Sequence, residues 1–377
     1  MKYHVVSTDD HIVHAPDSFA KRMSKVKWGD KIPHIERNDK GVDSWVVYGE
    51  RMPNVLGIAG VNGAMPDRTK SPSRWEDVPP STYIASERIK AMDQDGVDVH
   101  SLFGGNQYAG NRYKDEEFRL DCLKAYNDSQ IEDYHQLFPG RFITLAVLPE
   151  WDVQKALAEL ARVQKRGIHA VNFFMPQQFG FPHICEKSWD PLWAAMQEAG
   201  LSINFHIGGG ASQGAGSEIW SGHTPMFNLA EVSVKAISAN TSIMTTLLFS
   251  GIMERFPKLK IVSSESGIGW VPYLLEVADH QWERQRLNKE GMDVRPSEYF
   301  KRQCYVNFWF EDVGVKMRNY IGLDSIMWES DFPHPTCTWP TSQDYIERSL
   351  ADVSPAEREQ ILVGNAVRVF NLEKYQD

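Results

Sequence analysis

At 377 residues, with 42% hydrophobic and 24% charged side chains, the chain can bury an extensive core within one large α/β domain carrying insertions. No run approaches the roughly 18 consecutive apolar residues that a membrane-spanning helix needs, so no membrane partner is expected. The formal net charge of −10 sets the chain against nucleic acid, because phosphate binding requires clustered Lys and Arg.

Met1-Lys2-Tyr3-His4-Val5 reads straight into a strand with two acidic residues close behind. That is not the pattern of a signal peptide, so a cytoplasmic location is expected. Residues from about 26 to 90 are rich in Gly, Pro and Asp, and Ser44-Trp45-Val46-Val47-Tyr48 suggests a small hairpin within them. This stretch is expected to be an insertion after the first strand, covering one end of the sheet. The next strand begins near Val97.

A clear βα unit starts at Phe142 and runs to Leu148. A helix follows, with Asp152 as its cap and Val153, Leu157, Leu160 and Val163 at helical spacing; Gly167 ends it. The strand Ala170–Phe174 comes at once. In the next helix Asp190 is the expected cap, Pro191 fits the first position, Leu192, Trp193 and Met196 share a face, and Gly200 stops it. The strand Ser202–Ile207 runs into a glycine-rich loop, Gly208-Gly209-Gly210 through Gly216. A helical stretch from Ala230 to Phe256, with Val232, Ile237, Ile243 and Leu247, offers a subunit contact. Strands near Lys260, Tyr305 and Ser325 complete eight.

Eight strands with intervening helices predict a (β/α)₈ TIM barrel over residues 1–377 as a single domain, with the insertion at about 26–90. An open doubly wound sheet is the alternative, but neither a dinucleotide fingerprint nor a phosphate loop is present. Cys122, Cys185, Cys304 and Cys337 are scattered and read as reduced thiols.

Polar residues gather at strand ends. Asp9 and His11 are two apart at the end of the first strand and so share a face. His206 lies near the end of Ile203-Asn204-Phe205-His206-Ile207, and Asp331 closes Ile326-Met327-Trp328-Glu329-Ser330-Asp331. Imidazoles and carboxylates from three strand ends converge only if the sheet closes, and the set suits Zn²⁺, Mn²⁺ or Fe²⁺. Trp45, Trp270, Trp309 and Trp328 read first as core or brace residues, with Trp309 best placed to touch a substrate. His4, His34, His100, His135, His169, His183, His223 and His280 read as structural or surface residues, His223 least securely because it ends the glycine-rich loop.

Four segments, Thr8–His14, Phe205–Gly208, Ser264–Trp270 and Met327–His334, together resemble the amidohydrolase superfamily. The similarity is to its branch of metal-dependent TIM barrels related to aminocarboxymuconate-semialdehyde decarboxylase. It spans nearly the whole chain and implies Asp9, His11, His206 and Asp331 as ligands of a divalent metal, Zn²⁺ or Mn²⁺ first and Fe²⁺, even dinuclear, next. Asp9 stands where many members carry the first histidine of a His-x-His pair, as in the decarboxylase-like branch. Two departures stand out: Glu265 replaces a histidine common on the sixth strand, and His14 replaces a usual Glu. Both become additional candidate ligands, and Asp331, Glu265 and His334 become the candidate catalytic groups.

The resemblance implies a metal-dependent hydrolase or decarboxylase of a small organic acid, aromatic acids included, with Glu265 as acid or base provided burial raises its pKa. A di-iron or mixed-metal oxygenase and an inactive partner subunit of a hetero-oligomer are the alternatives. A homo-oligomer, most simply a dimer, is expected from the family, with a hetero-oligomer containing a paralogue as the variant.

Overall fold

The computed structural model describes residues 2–52, 61–105, 113–207, 222 and 224–376. The glycine-rich loop and His223 lie outside the described residues. In chain order the strands are β1 (Val6–Ile12), β2 (His34–Arg37), β3 (Asp43–Val47), β4 (Glu50–Arg51), β5 (Val99–Gly104), β6 (Phe142–Ala146), β7 (Ala170–Asn172), β8 (Ser202–His206), β9 (Lys260–Ser264), β10 (Cys304–Phe308) and β11 (Ile326–Trp328).

β1 and β5 through β11 form one eight-stranded sheet in that order, and every pairing in it is parallel. The ends meet without a regular ladder: Thr8 Oγ1 donates to Trp328 O at 3.0 Å and Asp331 N–H to Asp9 O at 3.0 Å. These bonds leave a nearly closed barrel with helices around it, the TIM-barrel arrangement the strand count predicts. Its strands are buried almost throughout, as expected of a parallel sheet covered by helices.

The helix Val153–Gln164 is capped as read, with Asp152 accepting from Gln154 N–H at 2.8 Å and Lys155 N–H at 3.0 Å. Asp190 behaves differently. It is the first residue of the helix Asp190–Ala199, whose cap position is Trp189 with no side-chain hydrogen bond. The Asp190 carboxylate instead accepts from the Arg255 guanidinium at 2.9 to 3.1 Å, a stronger charge-assisted pairing than a cap offers. The predicted Ala230–Phe256 helix is two helices, Pro225–Phe249 and Ile252–Arg255, parted where Gly251 adopts φ 72°. Among the described residues no helix is long and apolar enough to cross a membrane. All four cysteines are free thiols, three of them buried.

The predicted hairpin is the centre of an antiparallel three-stranded sheet, β2-β3-β4. The segment after it packs against the loop following β11: Gly63 N–H donates to Pro333 O at 2.8 Å, and a Cβ on Gly63 would collide with His334 O and Cys337 Sγ. The inserted residues thus brace the strand end that carries Asp331 and His334.

Candidate metal centre

Six side chains converge at the C-terminal end of the barrel. β1 supplies Asp9 and His11, and a register slip between Ser7 and Asp10 in its pairing with β5 lies beside them. Such bulges re-aim side chains next to active sites. β8 supplies His206, the residue after β9 is Glu265, and the chain leaving β11 supplies Asp331 and His334.

Around His11 Nε2 lie His206 Nε2 at 3.2 Å, Asp9 Oδ1 at 3.3 Å, Asp331 Oδ1 at 3.4 Å and Glu265 Oε2 at 3.5 Å. Glu265 Oε2 is also 2.8 Å from His206 Nε2 and 3.8 Å from His334 Nδ1, which in turn lies 2.7 Å from Asp331 Oδ1. The His334 ring stacks on His11 with centroids 3.7 Å apart. Two overlapping four-donor sets result, Asp9-His11-His206-Glu265 and His11-Glu265-Asp331-His334, each with its donor atoms within 4.8 Å of one another.

The backbone and flanking groups aim these donors. Glu265 and Asp331 both adopt left-handed backbone, at φ 52° and 59°, the kind of strain that persists where surrounding structure enforces it. His206 Nδ1 lies 2.6 Å from Ile207 O, which fixes the ring and leaves Nε2 for the centre. Thr336 Oγ1 donates to Asp331 Oδ2 at 2.6 Å, turning Oδ1 inward. Behind the ligands, buried Arg88 donates to the carbonyls of His11 and Phe332 and covers the Phe332 ring at 4.4 Å. Asp10 faces away from the centre, where its carboxylate accepts from Ser330 Oγ.

Buried Asp9 Oδ2 accepts no hydrogen bond from the described residues, and Asp9 Oδ1, Glu265 Oε2 and Asp331 Oδ1 face only the imidazole nitrogens of the centre, at 2.7 to 3.8 Å. Carboxylates buried at this density are costly unless positive charge joins them, and the donor set of imidazoles and carboxylates fits a divalent metal. The electrostatics agree. Burial opposes charge on His11 and His206, yet neighbouring carboxylates outweigh it, raising His11 well above the ordinary imidazole range and His206 to about 10. The imidazoles thus hold protons in positions where a cation would otherwise supply the positive charge.

Five of the residues singled out in the sequence as ligands, namely Asp9, His11, His206, Asp331 and Glu265, come together, as does His334. His14 lies outside both donor sets. Its ring is buried edge-on against Phe19 and Tyr126, and burial lowers its pKa to about 4. The condition attached to Glu265 is not met: burial pushes its pKa up, but His206, His11 and His334 draw it well below the usual carboxylate value. Trp309 borders the centre, lining with Glu265 a cavity of about 360 Å³. Trp45 and Trp328 are core residues.

Two participants escaped the sequence reading, Thr336 and Glu329. Glu329 is fully buried, and its Oε2 accepts the Glu265 N–H at 3.3 Å. Burial, reinforced by the charges of Asp9, Asp331 and Glu265, raises its pKa well above the carboxylate range. The available signal was its spacing two residues before Asp331.

The family model for amidohydrolases matches residues 53–372. A γ-resorcylate decarboxylase from Polaromonas sp. (strain JS666 / ATCC BAA-500) is 24% identical over 304 residues, covering 77% of this chain and 88% of the relative. Among solved structures, an amidohydrolase from Mycobacterium avium subsp. paratuberculosis K-10 superposes with a TM-score of 0.77 at 22% identity, covering 98% of this chain and 100% of that one. A dihydroxybenzoic acid decarboxylase from Polaromonas sp. JS666, solved with bound manganese and the inhibitor 2-nitroresorcinol, superposes with a TM-score of 0.66 at 18% identity, covering 99% and 98%. With a family match over most of its length and a donor cluster at the barrel end, the chain belongs to the amidohydrolase family.

Proposed function

We propose that this protein is a divalent-metal-dependent carboxy-lyase that decarboxylates an aromatic carboxylic acid. The observation that carries the reading is the convergence of three buried or nearly buried carboxylates and three imidazoles beside a mostly apolar cavity. The γ-resorcylate decarboxylase relative, and the manganese bound in the dihydroxybenzoic acid decarboxylase, support it. Asp9, His11, His206 and Asp331 would hold the ion, with Glu265 as an additional ligand. Bound there, a divalent cation supplies Lewis-acid binding for the substrate carboxylate and an adjoining oxygen.

The chain's own groups do the rest. Asp331 and His334, 2.7 Å apart, form a proton relay toward the ring carbon that bears the carboxylate. The carbon–carbon bond to the carboxylate breaks and its electron pair remains on that ring carbon. The ring carbon takes one proton, delivered from His334 through Asp331, and carbon dioxide departs. Glu329 keeps Glu265 in place from behind.

One observation favours a second reading, metal-dependent hydrolysis: the family model that matches residues 53–372 is that of the amidohydrolases. The test is a panel of carboxyl-labelled aromatic acids and aryl esters offered to manganese-loaded protein, with Asp331→Asn as control. Labelled carbon dioxide released by the parent protein and not by the variant supports decarboxylation. Ester cleavage without carbon dioxide replaces it with the hydrolase reading.

A further inference from the structure

We infer that the cavity beside Glu265 takes the hydrocarbon half of a monocarboxylic acid larger than a single ring, such as a fused bicyclic aryl acid, in preference to a hydroxyl-rich or dicarboxylic benzoate. The inference rests on the proposed function only for the placement of the substrate carboxylate at the metal.

The cavity walls are apolar. Ala230, Val234 and Ile237, at i, i+4 and i+7, present one face of the helix Pro225–Phe249, while Trp309, Phe310 and Pro335 come from the chain after β10 and β11. Glu265 is the lone ionisable group among the described lining residues, and it also belongs to both donor sets, so the cavity opens directly onto the metal centre. No Lys or Arg is among the described lining residues. A second carboxylate on a ligand would therefore meet Glu265 and no described counter-charge, at a steep cost in an apolar site.

Hydrogen-bonding capacity is sparse as well. Two hydroxyls, those of Ser233 and Thr336, are among the described lining residues; Thr336 is committed to Asp331, and Ser233 is engaged as well. The Trp309 indole N–H is buried and donates to no described residue. A ligand rich in hydroxyls would lose its water contacts here and regain few.

Size completes the case. A cavity of about 150 Å³ suffices for one benzene ring, and this one is about 360 Å³. A single-ring acid anchored at the metal would leave apolar wall facing water. In a hydrophobic pocket even one methylene changes discrimination by about tenfold or more.

The test compares three acids that share the same chelating carboxylate and ortho-hydroxyl: salicylate, 1-hydroxy-2-naphthoate and 4-hydroxyisophthalate. Their dissociation constants for the manganese-loaded protein are measured by calorimetry. The naphthoate is expected to bind at least about tenfold more tightly than salicylate, and the dicarboxylate at least about tenfold more weakly. Val234→Asp, at an exposed lining position, should bring the naphthoate-to-salicylate ratio down to about one, with unchanged manganese content as the check on folding. A ratio near one in the parent protein, or one that survives Val234→Asp, overturns the inference and leaves the carboxy-lyase reading standing if labelled carbon dioxide is still released. Failure of all three acids to bind the loaded protein overturns both.

Discussion

The backbone N–H of Glu265 is donated to Glu329 Oε2 across 3.3 Å, so a fully buried carboxyl, its pKa pushed up by burial, holds a residue of the candidate metal centre in left-handed backbone. Residues that hold ligands in place are worth about 10–100-fold in metal affinity or activity when mutated. Glu329→Gln keeps an acceptor and the size of the protonated acid, so manganese affinity should stay within a few-fold of the parent. Glu329→Leu leaves the Glu265 N–H unpaired, which costs about 1–3 kcal/mol of stability, and should weaken manganese binding by about 10–100-fold. Thermal melts and metal titrations of both variants check this. Equal damage from Gln and Leu would mean that the site needs a charge at Glu329.

Metal uptake should release protons. In the metal-free centre the surrounding carboxylates keep His11 and His206 protonated, the latter with a pKa of about 10. An ion must displace those protons to reach both Nε2 atoms. Calorimetric titration with manganese near pH 7.5, in two buffers of different ionisation enthalpy, should report up to two protons released per ion bound. Removing the ion with a chelator should lower the melting temperature, since a ligand present at about 100 times its dissociation constant stabilises by about 2.7 kcal/mol. No proton release would contradict the assignment of these imidazoles as ligands. The same titration reads stoichiometry, and two ions per chain would favour the dinuclear alternative.

Removal of one ligand oxygen tests the centre more directly. Asp331→Asn retains the Thr336 hydroxyl bond but replaces the inward charge beside His11 and His334. Turnover should fall by more than the ~100-fold typical of groups behind the ligands. His334→Gln, which removes the proposed relay and the stack on His11, should lower turnover by about 100–10,000-fold with manganese still bound. Steady-state rates alongside metal analysis separate the two.

Much of the barrel was legible because a parallel strand buried on both faces leaves a short apolar run, and each of the eight begins within two residues of its expected start. Asp9, His11, His206 and Asp331 were singled out by their places at strand ends taken together with the resemblance of the segments around them, since a strand-end Asp or His alone reads equally as a helix cap or a packed histidine, as buried His100 is. What was not legible depends on contacts between distant segments. Glu329 matters through a backbone N–H 64 residues away, whose direction is set by the positive φ of Glu265. Asp190 carries a cap signature, but Arg255 competes for the same carboxylate from another helix. His14 lies three residues beyond a ligand, yet its ring packs between Phe19 and Tyr126, neither of which local spacing reveals.

Two buried groups that belong to neither donor set should shape stability against pH in opposite directions. Glu150 is buried, and burial raises its pKa from 4.5 to about 8 against the single hydrogen bond from Phe174 N–H. The native state therefore keeps a proton that the unfolded chain gives up, and stability from this residue falls as pH rises between about 4.5 and 8. His14 has its pKa lowered by burial from 6.5 to about 4, so the unfolded chain binds the extra proton and stability falls as pH drops through that interval. A tenfold difference in proton affinity between the folded and unfolded chain is worth about 1.4 kcal/mol, so each limb amounts to a few kcal/mol. Glu150→Gln, which keeps an acceptor for Phe174 and cannot ionise, should melt higher than the parent at pH 8.5 and lose that advantage near pH 5. His14→Phe should flatten the acid limb and leave the alkaline one unchanged. Melting temperatures of the three proteins from pH 4 to 9 decide it: a Glu150→Gln curve parallel to the parent across the range would mean that the carboxyl is already ionised in the folded protein.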